Sequence, residues 1–404
     1  MIDPEIIVVG GGPAGLAAAT LLSQAGRRVM VLEREVEAGG IPRHCGHYPF
    51  GLREFHRLLR GPDYAARLRA SALAAGVMIR SRTTVTALLP GGVIEATDDA
   101  GPATLSAGAV LLATGVRETS RAARLIGGVK PGGVMSTAAL QGMVYLNQQR
   151  PFQRPVILGT ELVAFSALLT CRHAGIRPLA MIEPQGRVTV RKPSQGLALL
   201  MGVPIHLSSE ISAIHGRARV EGVTIATPDG ALTLPADGVI VSGGFRPEAA
   251  LLCASHLEVD PASGGPVVDR WGRLSDPAYF AAGNLLRGVE TAGWCWSEGR
   301  RTAHAILASL EGRLPPPGGA RLTLAHPALR LALPQVIGAT GSDAPHGRLQ
   351  VRLEKPIKGQ LRLMQGTKVL AAAHVDSLPE RRLSLPLPAV QDFEPMTLMI
   401  EEQP

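Results

Sequence analysis

Aromatic side chains are scarce in this chain: they make up 3% of its 404 residues. Proteins that bind single-stranded nucleic acid stack bases on such side chains, so the composition argues against that class. The formal net charge of +8 is the difference between 41 basic and 33 acidic residues, which are spread along the chain without a basic tail. We therefore expect no nucleic-acid partner.

Cysteine is also rare, and long apolar runs are missing. The four cysteines stand too far apart for a C-x-x-C pair or a zinc knuckle: Cys45, Cys171, Cys253 and Cys295. No stretch approaches the roughly 18 apolar residues of a membrane span, and the first residues carry neither a charged leader nor a cleavage site. We expect a soluble cytoplasmic protein with no transmembrane segment and no metal site.

Apolar residues and glycine, by contrast, are abundant. With 46% apolar residues the chain can fill at least two hydrophobic cores, and 47 glycines with 32 prolines indicate many tight turns. This composition excludes disordered, collagen-like and coiled-coil proteins.

A first glycine-rich loop follows an apolar strand at residues 6–9. It reads Gly10-Gly11-Gly12-Pro13-Ala14-Gly15, and it leads into a helical stretch and a second strand that ends at Glu33. This is G-x-G-x-x-G between a strand and a helix, in which the glycines permit a tight turn, the approach of a pyrophosphate and close helix packing. An acid at position 33 accepts a hydrogen bond from an unphosphorylated ribose, which favours FAD or NAD over NADP at this loop.

An internal repeat indicates a duplicated architecture. Residues 92–97 and 109–115 recur as 222–227 and 238–244, and each set follows its own glycine-led strand, helix and strand. After a helix that ends near Leu310, a proline-rich break at 314–319 precedes alternating runs that predict short strands. The predicted fold class is α/β, with two Rossmann-like dinucleotide-binding domains and a small C-terminal β module.

These motifs resemble the two-dinucleotide-binding-domain flavoproteins, the superfamily of glutathione and thioredoxin reductases, over about residues 5–312. Ala113-Thr114-Gly115 is similar to their second FAD signature, and Ala281-Ala282-Gly283-Asn284 to the third, which usually ends in Asp; the amide of Asn284 can still bond a ribityl hydroxyl. The resemblance implies an FAD-binding domain in two parts, 1–118 and 269–314, an NAD(P)-binding-like domain at 119–268 and the β module at 320–404.

The resemblance also implies which residues contact FAD. They are Gly10, Gly12, Pro13, Ala14, Gly15, Glu33, Arg34, Gly40, Ile41, Ala113, Thr114, Gly115, Gly283, Asn284, Thr291 and Ala292. In such folds the helix after the third signature points its N-terminus at the flavin, where the helix dipole stabilises negative charge.

In glutathione-reductase-like enzymes the segment after Gly39-Gly40 carries two redox cysteines. In this sequence those positions fall on Pro42 and His47, and Cys45 supplies neither the pair nor the register, so we expect an FAD-dependent oxidoreductase that is not a disulfide reductase. His47 becomes the candidate catalytic residue, as a proton donor or acceptor near the flavin; the alternative is a structural histidine. A metal site built from His44, Cys45 and His47 lacks a distant fourth ligand.

The pattern Gly39-Gly40-Ile41, Cys45, His47 and Phe50-Gly51-Leu52 resembles the flavoprotein that accompanies bacterial FAD-dependent glycerol-3-phosphate dehydrogenases. A looser resemblance extends to the flavoprotein subunits of sarcosine oxidase, opine and hydroxyproline dehydrogenases and hydrogen cyanide synthase. This implies a hetero-oligomer with an FAD-dependent dehydrogenase subunit. Any iron-sulfur cluster would belong to another chain, because no cysteine follows Cys295. The complex would then contain an iron-sulfur or other small subunit as well.

The second glycine loop departs from the dinucleotide-binding pattern. It reads Gly159-Thr160-Glu161-Leu162-Val163-Ala164, with a carboxylate where a pyrophosphate would approach the backbone. In favour of a nucleotide, Glu183 closes the following strand where a ribose-binding acid would stand, so NAD(P) binding stays open. We favour a subunit that passes electrons through FAD to a partner. The alternatives are a stand-alone NAD(P)H-dependent flavin oxidoreductase and a redox-silent scaffold that carries FAD.

Overall fold

The computed structural model describes residues 4–339, 344–388 and 393–402, and the chain divides into two compact units. The first unit contains residues 1–40, 65–116 and 247–404, and the second contains 41–64 and 117–246. Within the described ranges, no helix is both long and apolar enough to cross a membrane.

The helices and strands follow one another in chain order. Up to residue 117 they are β1 (Ile6–Val9), α1 (Pro13–Gln24), β2 (Val29–Leu32), α2 (Leu52–Phe55), α3 (Gly61–Ala74), β3 (Met78–Arg80), β4 (Thr84–Leu89), β5 (Val93–Asp98), β6 (Gly101–Ser106), β7 (Ala109–Leu112) and β8 (Val116–Arg117). The next are β9 (Val134–Ser136), α4 (Thr137–Gln141), β10 (Pro155–Leu158), α5 (Leu162–His173), β11 (Ala180–Ile182), α6 (Lys192–Leu200), β12 (Ile205–His206), β13 (Glu210–His215), β14 (Gly222–Thr227), β15 (Gly230–Leu234), β16 (Gly238–Val241), β17 (Arg246–Pro247) and α7 (Ala250–Cys253). The last are β18 (Tyr279–Ala281), α8 (Ala292–Leu310), β19 (Ala320–Leu324), β20 (Leu329–Leu333), β21 (Val336–Ile337), β22 (Arg348–Leu353), β23 (Ile357–Gln365), β24 (Lys368–Ser377), β25 (Leu383–Pro386) and β26 (Met396–Glu402).

A parallel sheet in the order β18-β7-β1-β2-β3 forms the base of the first unit. Its central strand β1, Ile-Ile-Val-Val, is buried along its whole length, as expected for a β-branched strand covered on both faces. Val9 pairs with both Leu32 and Leu112, so neighbouring strands end at the same level. The loops that follow these strands therefore meet at one edge, where α/β folds bind their ligands.

The second unit repeats this plan. Its parallel sheet has the order β12-β11-β10-β16-β9, and a three-stranded antiparallel sheet β13-β14-β15 matches β4-β5-β6 of the first unit. Leu158 pairs with Ile182 and Val241, so the strands of this sheet also end together.

The C-terminal strands form two sheets, β21-β19-β26-β23-β24 and β20-β22-β25. Alternate residues of both sheets, such as Leu349, Val351, Leu361 and Leu398, share one buried core. The predicted α/β fold class with Rossmann-like sheets and a C-terminal β module is therefore confirmed.

Two segments pack in a different unit from the one that the sequence suggests. Residues 41–64 belong to the second unit, where the thiol of Cys45 contacts Gln141. Residues 247–268 belong to the first unit, because Leu252 and Val268 are buried in the same core as β1. The cofactor assigned to each domain stays a prediction.

Candidate functional site

Two chain segments touch the backbone of the first glycine loop in the first unit. A Cβ built on Gly10 would lie 2.5 Å from the carbonyl oxygen of Ala113, and one built on Gly40 would lie 2.9 Å from the Cα of Gly12. Real Cβ atoms do not come this close, so only glycine fits at positions 10 and 40. The second signature and the Gly39-Gly40 turn are thereby fixed against the loop.

Helix α8 and the third signature also contact the first glycine loop, through Ala14. A Cβ on Gly283 would lie 2.9 Å from the Cβ of Ala14, and one on Gly299 only 2.1 Å from the Ala14 carbonyl oxygen. A Cβ on Gly15 would lie 2.0 Å from the carbonyl oxygen of Gly10, as the third glycine of the motif requires.

Gly12 differs from its neighbours because the space beside it is open. A Cβ on Gly12 would meet no atom of the described residues within 4 Å, and its φ of −79° suits any residue. Gly12 is the N-cap of α1, whose first turn holds Pro13, no acidic residue and no side-chain cap. Free N–H groups and the helix dipole at such a position attract a phosphate, so the residues present fit the pyrophosphate of FAD.

Glu33 is buried at the end of β2, and both of its carboxylate oxygens accept main-chain hydrogen bonds. Oε2 accepts from the N–H of Gly11 at 2.9 Å, and Oε1 from the N–H of Glu35 at 2.9 Å. Each oxygen keeps a further lone pair for a ribose hydroxyl. Arg34 is exposed, with its Nε 3.9 Å from the carboxylate of Glu35.

The second signature is held by main-chain contacts to Glu248. The hydroxyl of Thr114 donates to the carbonyl oxygen of Glu248 at 2.9 Å, and the N–H of Glu248 donates to the carbonyl oxygen of Gly115 at 2.9 Å. Gly115 has a φ of +79°, which favours glycine.

In the third signature, Asn284 closes the turn that leads to α8. Its Nδ2 donates to the carbonyl oxygen of Glu290 at 3.1 Å, and its Oδ1 accepts from the N–H of Glu290 at 2.7 Å. The amide keeps one hydrogen and one lone pair for a ribityl hydroxyl. Thr291 follows as the N-cap of α8, and Ala292 begins the helix, whose first turn holds no acidic residue.

A buried ion pair between Arg287 and Glu298 holds the main chain of this turn. Glu298 accepts from the N–H of Gly283 at 2.9 Å and from both Nη atoms of Arg287, at 3.0 and 2.9 Å. Burial alone raises the pKa of Glu298, but the guanidinium of Arg287 brings it below its ordinary value. The nearby thiol of Cys295 has its pKa raised to about 12 by burial and by Glu298, so it stays protonated.

His47 and Ile41 belong to the second unit. Nδ1 of His47 lies 2.9 Å from the carbonyl oxygen of Tyr48, and Nε2 lies 2.5 Å from the hydroxyl of Ser166. Both ring nitrogens are therefore hydrogen-bonded within the unit. Ile41 begins a short 3-10 turn and is 48% exposed.

Cys45 and Gly46 fix this segment to α4 and the residues after it. Burial raises the pKa of the Cys45 thiol to about 12, and its sulfur lies 3.4 Å from Oε1 of Gln141. A Cβ on Gly46 would lie 2.1 Å from the ring of Tyr145, so a larger residue at position 46 would displace that ring. Cys45 therefore presents a neutral thiol.

In the second glycine loop, the carboxyl group of Glu161 lies between two strand-end glycines. A Cβ on Gly159 would lie 2.6 Å from its Oε2, and one on Gly243 would lie 2.5 Å from its Cδ. The hydroxyl of Ser242 donates to Oε1, and burial raises the pKa of Glu161. Glu161 thus places a carboxyl group in the second loop at the motif position where the first loop has Gly12.

Glu183, in contrast, stands at the place in the second unit that Glu33 has in the first, although its Oε2 accepts from hydroxyls and not from a main-chain N–H. It is buried at the end of β11, its Oε2 accepts from the hydroxyl of Thr160, and its Oε1 accepts from the N–H of Gln185 at 3.0 Å. An acid therefore follows β11 as Glu33 follows β2, whereas the glycine loops that precede the two acids differ.

Four residues that shape these sites have no part in the sequence-based predictions: Gln141, Ser166, Arg287 and Glu298. One signal was available, because Ser166 and Thr170 stand four residues apart on the buried face of α5. Buried polar groups need partners, so such a pair indicates a polar contact from another element.

A glycine loop at an open helix start, a buried acid and two further strand-end signatures define a dinucleotide-binding flavoprotein of the oxidoreductase class. Residues 4–299 match the pyridine nucleotide-disulphide oxidoreductase family, and the chain belongs to this family. Its members bind FAD and use NAD(P)H.

Curated relatives include components of larger enzymes and a reductase. The A subunit of opine oxidase from Agrobacterium tumefaciens (strain Ach5) is 28% identical over 76% of this chain and 66% of its own length. The thioredoxin reductase of Streptomyces clavuligerus is 25% identical over 70% of this chain and 86% of its length. The alpha subunit of sarcosine oxidase from Rhizobium meliloti (strain 1021) is 25% identical over 77% of this chain, which spans 31% of that protein.

Solved structures agree on the fold. The thioredoxin reductase of T. acidophilum superimposes with a TM-score of 0.64 at 22% identity, over 76% of this chain and 99% of that one. These relatives correct one expectation: the conclusion that the chain is not a disulfide reductase is wrong, because thioredoxin reductases are among its neighbours in sequence and fold. That conclusion rested on the cysteine positions of one short segment after Gly39-Gly40.

Proposed function

We propose that the chain is an FAD-binding subunit of a multi-subunit dehydrogenase, of the glycerol-3-phosphate or amino-acid and amine type, that passes electrons to a partner chain. The observation that carries this proposal is the difference between the two glycine loops. The space beside Gly12 is open, whereas Glu161, at the corresponding motif position of the second loop, places a carboxyl against Gly159 and Gly243. This supports FAD as the resident cofactor, and it supports the substrate of the complex, rather than NAD(P)H, as the source of its electrons.

The names of the relatives support the assignment to a complex. The relatives from opine oxidase and sarcosine oxidase are named as subunits of those enzymes, and this chain spans 66% and 31% of them. An iron-sulfur or other small subunit remains part of the proposal. The cysteines at 45, 171, 253 and 295 are free thiols, which supports the proposed cytoplasmic location.

In this proposal the first unit holds the cofactor. FAD supplies an acceptor for two electrons that can leave again to a partner centre. Gly10 to Gly15 and the start of α1 would bind its pyrophosphate, Glu33 its ribose, and Asn284 its ribityl chain. Thr291 and Ala292 would place the N-terminus of α8 at the ring system, where the helix dipole favours negative charge.

The first experiment is anaerobic stopped-flow spectroscopy of the purified protein after addition of NADH or NADPH. We expect yellow protein whose flavin absorbance is not bleached rapidly by either nucleotide, but is bleached by substrate once the partner dehydrogenase is present. A protein that contains no flavin and takes none up would overturn the proposal. Rapid bleaching by nucleotide alone would establish instead a stand-alone NAD(P)H-dependent flavin oxidoreductase, the function that Glu183 favours.

His47 is proposed as the residue that donates or accepts a proton near the flavin. We expect His47→Ala to keep bound FAD but to slow flavin reduction or reoxidation at least several-fold. His215→Ala, which changes an exposed histidine of the same unit, is the matched control. Unchanged rates in both half-reactions of His47→Ala would make His47 a structural residue.

A further inference from the structure

A continuous row of hydrogen bonds leads to His47 inside the second unit. The sulfur of Cys45 lies 3.4 Å from Oε1 of Gln141, and Nε2 of Gln141 lies 2.7 Å from the hydroxyl of Ser166. That hydroxyl lies 2.5 Å from Nε2 of His47, whose Nδ1 lies 2.9 Å from the carbonyl oxygen of Tyr48. Five residues from three separate parts of the chain thus form one network.

The two ends of the row fix its direction. A carbonyl oxygen can only accept, so Nδ1 of His47 carries a hydrogen and donates it to Tyr48. At the other end, the neutral thiol of Cys45 has a hydrogen to donate, so the oxygen of the Gln141 amide faces it. The nitrogen of that amide then faces Ser166 and donates to the hydroxyl oxygen of Ser166. The hydroxyl group of Ser166 in turn donates its hydrogen to Nε2 of His47.

Thr170 secures the orientation of the amide. Its hydroxyl donates to the carbonyl oxygen of Ser166 at 3.0 Å, so it can accept the second hydrogen of Nε2 of Gln141, which lies 3.5 Å away. Gln141 is 2% exposed and Ser166 9% exposed. The reversed direction would leave polar groups unpartnered at these buried positions, where the loss of a hydrogen bond is unfavourable.

We propose that Ser166 and Gln141 are positioning residues that hold His47 in the neutral tautomer with hydrogen on Nδ1 and with Nε2 as the acceptor. The inference rests on the proposed role of His47 and deepens it, since it states which nitrogen takes up a proton. It also assigns Cys45 a part as hydrogen-bond donor at the end of the row.

The tautomer can be read directly by nitrogen NMR of protein labelled with ¹⁵N-histidine, with His47→Ala used to assign the signals. At a pH where His47 is neutral, we expect a protonated-type resonance for Nδ1 and an unprotonated-type resonance for Nε2. The reverse pattern in the wild-type protein would overturn the inference, and this result does not depend on catalytic activity.

Gln141→Glu should reverse the direction of the hydrogen bonds between position 141, Ser166 and His47, because a carboxylate can accept from Ser166 but cannot donate to it. Ser166 then accepts from His47, and we expect the Nε2 resonance to move to the protonated type. Thr224→Ala removes the hydroxyl that bonds the exposed His215 and serves as the control, with no effect expected on the signals of His47.

The functional readout compares Ser166→Ala with Ser166→Thr, which keeps the hydroxyl. We expect Ser166→Ala to slow the His47-dependent half-reaction several-fold and to change its pH profile, and Ser166→Thr to restore both. Equal profiles for the two variants and the wild type would contradict a positioning role. If His47→Ala alters neither half-reaction while the NMR pattern is as expected, the catalytic role of His47 fails but the tautomer assignment stands.

Discussion

Gly10 and Gly12 stand two residues apart in one loop but have different neighbours, so their substitutions should separate folding from cofactor binding. Gly12→Val places its side chain in open space at an ordinary φ. We expect it to fold as the wild type does and to lose at least about tenfold in flavin content, because the valine occupies the place of the pyrophosphate. Flavin per protein and the thermal midpoint of the apoprotein measure the two effects.

Two controls bracket this prediction. Gly127→Val adds the same side chain at an exposed glycine whose Cβ would meet no described atom within 4 Å, and we expect no effect on either quantity. Gly10→Ala meets the Ala113 carbonyl at a φ of +103°, and should destabilise the fold by about 2 kcal/mol or more. Full flavin content in Gly12→Val would show that the cofactor does not lie against this glycine.

His346 should make the stability of the first unit depend on pH. Burial lowers its pKa from 6.5 to about 4; Glu298, 3.9 Å away, favours the protonated form, and the charges of Arg287 and Arg301 oppose it. The unfolded chain therefore binds the proton first as pH falls. The contribution of His346 is present in full above pH 6.5 and is lost between pH 6.5 and about 4, on the order of 3 kcal/mol.

Urea unfolding at a series of pH values checks this expectation. His346→Leu should flatten the fall in the free energy of unfolding over that interval, whereas His215→Ala should leave it unchanged. Glu298, whose pKa is lowered, begins to lose its own contribution only near its ordinary pKa of 4.5, at the acidic end of the interval, so the comparison is made on the slope above that pH. An equal slope in His346→Leu and wild type would refute the assignment.

At the scale of elements, the β10 loop and helix α5 decide whether a second nucleotide binds. Glu161→Gly removes the carboxyl that lies against Gly159 and Gly243, and we expect NADH to bind at least about tenfold more tightly, as measured by isothermal titration calorimetry. Glu161→Gln keeps the volume and removes the acid. Because the glutamine side chain occupies the same space against Gly159 and Gly243, we expect this variant to bind like the wild type.

The two variants distinguish bulk from charge. If Glu161→Gln gains as much affinity as Glu161→Gly, charge and not space limits binding. If neither variant gains affinity for NADH, the side chain of Glu161 does not limit nucleotide binding. Glu183 would then be the remaining residue that favours an NAD(P) site.

Elements defined by local pattern could be predicted from the sequence, and those defined by distant contacts could not. Strand β1 occupies residues 6–9 as the apolar run indicates, and α8 ends at Leu310 as expected. The contacts of Ser166 join residues 25 and 119 positions away, so no local pattern reveals them. The turn closed by Asn284 could not be predicted for a related reason, because its partner is the main chain of Glu290, which has no sequence signature.

At the scale of the whole chain, the proline-rich break at 314–319 predicts the start of a C-terminal β module, and in the structure this module packs within the first unit. Leu333 of β20 is buried in the core that contains β1, and the N–H of Gln335 donates to the carbonyl oxygen of Val268 at 3.1 Å. Nη2 of the buried Arg270 donates to the carbonyl oxygen of Pro388 at 2.9 Å. The C-terminal strands thus contribute to the core that contains β1, the strand that leads into the first glycine loop.

The C-terminal strands also reach the turn before α8. Nη2 of Arg352 lies 2.6 Å from the Glu290 carboxylate, and the guanidinium of Arg382 lies 3.9 Å above the ring of Trp294. We therefore expect a chain that ends at Gly318 to lose flavin and cooperative unfolding together, because truncation exposes a core and frees the segment that positions α8. Flavin absorbance and the thermal unfolding curve measure both, and co-expression of residues 319–404 as a separate fragment should restore them. A truncated protein that unfolds cooperatively with full flavin content would show that the β module is independent of the cofactor site, and would leave it free for a role in binding the partner chain.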